Sequence, residues 1–352
     1  MKTSDLDYEL PEGQIAQHSA HPRDSSRLFV FDTASGSESH FQFRDCIKLF
    51  RRGDLLVFNN SKVFRARLVA TDDRGGEVEI FFLRPSLGGW ECLGKPGKRL
   101  GVGSHINFTK TVTGRVTQRF ENGRFILCVS RAGKTLTDKQ VLAFANKHGE
   151  IPIPPYVGEK PKRFSDYQTV YAKLTGSVAA PTAGFHFTTR LLRALRAKGV
   201  RTAEVTLHVG IGTFQPIKVD TIEEHEMHHE WVEISGAAAR AITSAKKNGR
   251  RVIAVGTTTV RAVESWAASG ADAHTAWSSD VNLFLTPGKK FKIIDALITN
   301  FHLPRSTLLL LVSAFIAQKT GGDGLATLKK MYAEAIARGY RFYSFGDALL
   351  IT

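Results

Sequence analysis

The stretch RVIAVGTTTVRAVESWAA, Arg251 to Ala268, decides the fold class. Arg251 to Val255 is an apolar strand of the kind found in parallel sheets, and it runs straight into a helical stretch over Thr257 to Ala267. The same alternation recurs on either side. Thr188 to Lys198 reads as a helix with Leu191, Leu192 and Leu195 on one face and Gly199 past its end, followed by a strand from Val200 to Val209. Ile293 to Asn300 reads as a strand leading through His302-Leu303-Pro304 into a helix, Ser306 to Ala317, capped by Ser306 or Thr307. That helix is apolar nearly all round and is expected to be buried. An amphipathic helix near Leu325 to Arg338 stops at Gly339, and a last strand runs through Tyr340 to Ile351. The first sixty-five residues show one clear strand, Asp54 to Asn59, which is assigned to the same α/β body.

Between about Ala66 and Glu150 the pattern changes. Glu77-Val78-Glu79-Ile80-Phe81 alternates, and Gly114 to Ser130 reads as two strands around the hairpin signal Glu121-Asn122-Gly123. Short strands separated by Gly-, Asp- and Pro-rich turns predict a small antiparallel barrel. Ile151-Pro152-Ile153-Pro154-Pro155 cannot continue a helix or a central strand and marks its exit. The expected fold class is α/β: a layered α/β body, residues 1–66 and 152–352, with an inserted antiparallel β-barrel domain, residues 67–151.

A chain of 352 residues at 42% apolar and 23% charged is neither disordered nor collagen-like, and is long enough for two cores. Its 48 Lys and Arg against 33 Asp and Glu leave a net charge of +15, which favours a polyanionic partner. Cys46, Cys92 and Cys128 are too few and too scattered for a disulfide framework or a four-Cys zinc site, so a reducing compartment is expected. Met1 to Pro11 has no apolar core segment, and the longest apolar run, Leu308 to Ala317 around Ser313, is about half a bilayer span. A cytoplasmic protein without a membrane partner is expected, and a monomer.

Ligands of open α/β sheets gather at the carboxyl ends of strands, where this sequence concentrates its unusual residues. Asn59-Asn60 follows the first strand; His208, Gly210, Gly212 and Thr213 end another; Gly256-Thr257-Thr258-Thr259 opens a helix; and Thr299-Asn300-Phe301-His302 closes a fourth strand. A fifth cluster, Ala180 to Phe187, holds Thr182, Gly184 and His186. Each has a plainer reading: a turn for the asparagines, a tight bend for the glycines, an N-cap for the threonines, a structural role for any lone histidine. A helix N-terminus bearing free N–H donors and hydroxyls is equally a carboxylate or phosphate site. His225-Glu226-Met227-His228-His229 matches the H-E-x-x-H zinc signature if Thr221 to Glu230 is helical, but no third ligand follows in a recognisable arrangement. No G-x-G-x-x-G opens a helix after a strand, which removes the usual dinucleotide or methyltransferase loop.

Taken together the blocks resemble one family, the S-adenosylmethionine:tRNA ribosyltransferase-isomerases of queuosine biosynthesis. The resemblance runs from Asp7-Tyr8-Glu9-Leu10-Pro11 and Arg23-Asp24-Ser25-Ser26-Arg27-Leu28, through Gly53 to Asn60, Tyr167 to Ala172 and Gly176 to Thr188, to Leu297 to Pro304 and Tyr340-Arg341-Phe342. It departs mildly at Lys289, where an aromatic is usual, and at Phe345, where tyrosine is common. The resemblance implies an α/β body with an inserted barrel and a pattern at 225–228 that uses His225 and His228 without a metal. It further implies transfer of the ribosyl part of S-adenosylmethionine, a true substrate, to 7-aminomethyl-7-deazaguanine at the wobble position of a tRNA anticodon. Epoxyqueuosine forms and adenine and methionine leave.

Such chemistry wants proton acceptors and an adenine-side donor, and His186 and His208 are the candidates. Thr257 and Thr258 suit the methionine carboxylate. Arg23, Asp24, Asn59, Asn60, Thr182, Gly184, Gly210, Gly212, Thr213, Asn300 and His302 are expected to shape the substrate pocket. Lys62, Arg65 and Arg67 at the entry to the insertion, with Lys95, Lys98 and Arg99 around its turn, are expected to meet tRNA phosphates at the junction of the two domains. A solvated basic turn is the alternative. A non-catalytic RNA-binding protein and an S-adenosylmethionine-dependent methyltransferase remain as competing readings.

Overall fold

Runs in which every residue is apolar build the middle of one large sheet, and alternating runs build a separate barrel. A computed structural model of the chain describes residues 1–154, 156–159, 161, 163–210 and 216–352. It divides into two units: Met1–Ser61 with Pro155–Leu174 and Ala180–Thr352, and Lys62–Pro154 with Thr175–Ala179. Strands β1 (Arg27–Asp32) and β2 (Ser37–Gln42) form a hairpin, followed by helix α1 (Cys46–Leu49), β3 (Leu55–Asn59) and the short β4 (Ser61–Val63).

The second unit carries β5 (Arg67–Asp72), β6 (Glu77–Ser86), β7 (Gly89–Lys95), β8 (His105–Asn107), β9 (Val112–Arg119), β10 (Phe125–Arg131), β11 (Lys134–Thr135) and α2 (Asp138–His148). The strand order β10-β7-β6-β5-β8-β9 closes because β9 also pairs with β10, giving a six-stranded antiparallel barrel. Closure removes the open edges that a flat sheet of this size would present. Leu68 and Ala70, then Val78, Ile80 and Phe82, alternate with exposed or half-buried neighbours and fill the interior. Gly123, at φ 81°, makes the turn between β9 and β10 that its Asn-Gly signal foretold.

Past β12 (Leu174–Ser177), the first unit resumes with α3 (Thr189–Ala197), β13 (Arg201–Leu207), β14 (Glu230–Ile234), α4 (Gly236–Lys247), β15 (Val252–Val255), α5 (Thr257–Ser269), β16 (Trp277–Val281), β17 (Ala296–Asn300), α6 (Thr307–Thr320), α7 (Gly324–Ala337) and β18 (Ala348–Ile351). Its nine-stranded sheet runs β16-β14-β13-β3-β15-β17-β18-β1-β2. The central strands β13, β3, β15 and β17 are parallel, and their carboxyl ends share one edge. Leu56, Phe58, Ile253, Val255 and Ile298 pack in one cluster with Leu191, Leu192 and Leu195 of α3. The alternate residues Leu55, Val57, Val252, Ala254 and Leu297 are buried too, so the sheet is covered on both faces. The α/β body and barrel read from the sequence are both present.

Several elements differ from the reading. The first sixty-five residues hold β1 and β2 as well as β3, and β1 joins the large sheet only because it pairs with the distant β18. β17 begins at Ala296 rather than Ile293, since the N–H groups of Ile293 and Ile294 donate to the Glu264 carboxylate, each at 3.0 Å, instead of entering the ladder. The last strand is only Ala348–Ile351, because Asp347 accepts from the N–H groups of Arg27 and Arg341 and turns the chain just before it. The three cysteines are free, and among the described residues no helix is long and apolar enough to cross a membrane.

Candidate active site

Parallel strands β15 and β17 end beside a cleft of about 640 Å³, counting the space open to solvent. Its floor begins where β15 passes through Gly256 into α5. Gly256 has φ 90°, a left-handed conformation that turns the chain sharply enough for the first helical turn to face the cleft. No side chain among the described residues caps this terminus, so the leading N–H groups of α5 are available together with the Thr257 and Thr258 side chains that line the cleft. Thr259 instead donates its hydroxyl back to Val255 O at 2.6 Å. The opposite wall is made by Ala180 to Ala183, a segment that includes Thr182 and opens a 3-10 turn reaching His186.

His302 lines the cleft, its Nε2 within 2.8 Å of Thr299 Oγ1 and its N–H donating to the Tyr332 hydroxyl at 2.9 Å. The Tyr8 hydroxyl donates to its carbonyl. Burial among these rings pushes its imidazole down to about 3. Asn300 also lines the cleft and fixes its neighbour. Its Nδ2 donates to Tyr343 O at 3.0 Å and to His186 Nε2 at 3.3 Å, which leaves Nδ1 of His186 to carry the proton and donate to Ser26 Oγ at 2.8 Å. His186 therefore stands behind the wall as a neutral imidazole, its ring 5.0 Å from that of Phe43 and tilted 30° to it, and burial lowers it to about 4. His208, at the end of β13, is likewise lowered to about 4 by burial, and its Nδ1 has no partner among the described residues.

The remaining expected residues fall outside the cleft lining. Asn59 ties three elements: Nδ2 reaches Leu207 O at 3.0 Å and Thr258 Oγ1 at 3.2 Å, while Oδ1 accepts from Ser61 N and Leu207 N. Asn60 faces β13 through Thr206 and Glu204. Arg23 donates to the carbonyls of Ser165, Asp166 and Gln168, with its guanidinium 5.2 Å above Phe185. Asp24 accepts from Thr188, the cap of α3, at 2.8 Å. Gly184 is glycine for packing, since a Cβ there would lie 1.9 Å from the Tyr171 hydroxyl oxygen. Gly210 donates to Glu230, which is ion-paired with Arg261. Gly212 and Thr213 lie outside the described residues.

A parallel sheet with a helix N-terminus at its carboxyl edge occurs in many enzymes, and relatives narrow the choice. A family model described as queuosine biosynthesis protein matches residues 3–351. The chain belongs to this family. Proteins named S-adenosylmethionine:tRNA ribosyltransferase-isomerase from Carboxydothermus hydrogenoformans and Moorella thermoacetica are 47% and 45% identical, each alignment covering all of both chains. A crystal structure of S-adenosylmethionine tRNA ribosyltransferase from Thermotoga maritima is 35% identical with a TM-score of 0.57, over 99% of this chain and all of that one. Agreement of this extent makes the chain a transferase of queuosine biosynthesis.

In this family member the H-E-x-x-H reading fails on backbone geometry. Ile222–Glu224 is a single 3-10 turn, and 225–229 run on without helix, so the two histidines cannot share a helical face as that signature requires. No group of three potential ligands could hold a metal among the described residues. In the barrel unit, Arg67 and Arg99 pair with Glu79 and Asp72, Arg65 is engaged, and Lys62, Lys95 and Lys98 are exposed. The family member's cleft also contains groups that pattern reading missed. Tyr156 and Tyr343 stand 4.9 Å apart at 56°, and Tyr156 Oη lies 2.7 Å from Ser344 Oγ. Tyr343 has φ 69°, a conformation that turns its ring from the course of the chain and that no residue pattern announces. Its neighbour Tyr340-Arg341-Phe342 was the one available signal.

Proposed function

We propose that this chain transfers and isomerises the ribosyl moiety of S-adenosylmethionine onto 7-aminomethyl-7-deazaguanine at the wobble position of tRNA, giving epoxyqueuosine and releasing adenine and methionine. The observation that carries this reading within the family is the uncapped α5 terminus opening into a cleft walled by two tyrosine rings. The free N–H groups and the Thr257 and Thr258 hydroxyls suit the methionine carboxylate. The faces of Tyr156 and Tyr343 suit flat heterocycles such as adenine.

The sulfonium acidifies the adjacent 5′ C–H, so a base removes that proton, ring opening expels adenine, the amine attacks, and an epoxide closes as methionine leaves. His186 and His208 are the acid–base groups, both neutral at the outset, and each offers a nitrogen lone pair. At His186 that pair faces Asn300, so Asn300 must turn aside before the proton is taken. Asn300 and His302 shape the pocket between them. The enzyme's partner is tRNA, met by Lys62, Arg65, Arg67, Lys95, Lys98 and Arg99, and it works as a cytoplasmic monomer without a metal.

Incubation with S-adenosylmethionine and tRNA bearing the aminomethyl-deazaguanine tests this directly. Adenine and methionine should appear in equal amounts. S-adenosylhomocysteine as the main product would make the chain a methyltransferase, and RNA binding without turnover would make it a binding protein.

A further inference from the structure

At the amino ends of the same parallel strands lies a dense, uncompensated positive surface. β13, β3 and β15 are neighbours in register, with Arg201 opposite Leu55 and Leu55 opposite Val252. The three loops entering them therefore stand in a row, spaced by the usual ~4.8 Å between strands. Gly53 N donates to Gly199 O at 2.9 Å, and Leu55 N to Arg251 O at 2.9 Å, which locks the row. Gly53 and Gly199 both have φ 90°. A Cβ on Gly53 would lie 3.0 Å from Arg250 Nε, and one on Gly199 2.8 Å from Arg52 Cγ, so these two arginines lie across the neighbouring loops.

The carboxylates in these loops are already taken. Asp54 is buried and held by Arg251, and Asp295, beside them, by Lys246 at 2.7 Å. Lys198 donates to Ile47 O at 2.6 Å. Arg51, Arg52, Arg201 and Arg250 are exposed and have no carboxylate partner among the described residues. One small anion would engage one or two of these guanidinium groups, whereas a chain of phosphates engages all of them. None of the exposed large apolar side chains lies in these loops, so nothing here would enter a lipid bilayer.

We propose that this amino-terminal edge of the sheet is a docking surface for the phosphate backbone of RNA, separate from the cleft at the carboxyl edge. It is sequence-independent and takes no part in the reaction. The proposal does not rest on the chemistry assigned to the cleft, and its test needs no turnover.

Binding of an RNA duplex of about 16 base pairs is measured by fluorescence anisotropy across about 50 to 200 mM salt. The triple exchange Arg52→Gln, Arg201→Gln, Arg250→Gln should weaken binding and lower the slope of log K against log salt by about 2 to 3, at 0.7 to 0.9 per lost contact. Lysine at the same three positions should restore most of the slope, and kcat at saturating tRNA should stay at the wild-type value. If the triple variant does not fold, Arg201→Gln alone should lower the slope by about 0.7 to 0.9. Unchanged affinity and slope would overturn the proposal. So would wild-type protein that binds phosphatidylserine vesicles but no duplex.

Discussion

His186 and His302 are held neutral by burial, with pKa values pushed from the ordinary 6.5 to about 4 and about 3. The linkage has a definite sign. Below pH 6.5 the unfolded chain takes up protons that the folded chain refuses, so stability is full above that pH and is lost as pH falls toward 4. Each histidine should cost on the order of 3 kcal/mol by pH 4. Urea unfolding should show a steep fall in stability between those pH values, shallower in His302→Asn; a flat profile would contradict the burial account. The same confinement sets the catalytic expectation. Since Nδ1 of His186 donates to Ser26, only Nε2 can accept a proton, and His186→Ala should lower kcat by about 100-fold or more in a folded protein. A near-normal kcat would remove His186 from the chemistry. No pattern of residues could have shown which nitrogen carries the proton, because Ser26 and Asn300 are brought to this ring from distant parts of the chain.

Among the elements, α5 carries the sharpest expectation. If its open N-terminus receives the methionine carboxylate, Thr257→Val should raise KM for S-adenosylmethionine about tenfold and leave kcat within a few-fold, the mark of a contact present equally in ground and transition states. A KM that stays put while kcat falls would assign Thr257 a different task. The strand and helix here were legible because an all-apolar run meeting Gly256 leaves few alternatives. Elsewhere local pattern misled wherever a side chain intercepted backbone donors. Glu264 takes the N–H groups of Lys292, Ile293 and Ile294 and delays β17, although those residues look like strand. β1 escaped notice for a different reason. The parallel partner of RLFVFD is supplied by the far end of the chain, so no neighbouring segment marks it as a strand of the sheet.

For the molecule as a whole, charge is the dominant long-range property. A net charge of +15 predicts RNA binding that weakens steeply with salt. In the barrel unit, Arg99 is paired with Asp72 while Lys95 and Lys98 have no such engagement among the described residues. Charge reversal at Lys95, Lys98 and Arg99 should raise KM for tRNA, leave KM for S-adenosylmethionine unchanged, and lower the salt slope by about two contacts' worth, roughly 1.4 to 1.8. An unchanged slope would make this turn a solvated surface only. The architecture was readable at this scale because period-two alternation and all-apolar runs separate cleanly along the chain. The cleft was readable only in outline: strand ends located it, while Tyr156 and Tyr343 reached it through loop conformation.

The place of β18 between β17 and β1 has a kinetic consequence. Leu28 pairs with Ala348, a closure of about 320 residues, whereas the β1–β2 hairpin closes over the four residues from Thr33 to Gly36. By loop-closure entropy the long connection costs about 4 kcal/mol more than the short one. The hairpin should therefore form early yet wait, undocked, until β17 and β18 have paired, leaving the β18 edge unfilled meanwhile. Pulse-labelled hydrogen exchange during refolding should find the β18-facing amides of β1 protected after those of β15 and β17. Until that last step the exposed edge can recruit a strand from another copy, so refolding yield should fall as protein concentration rises.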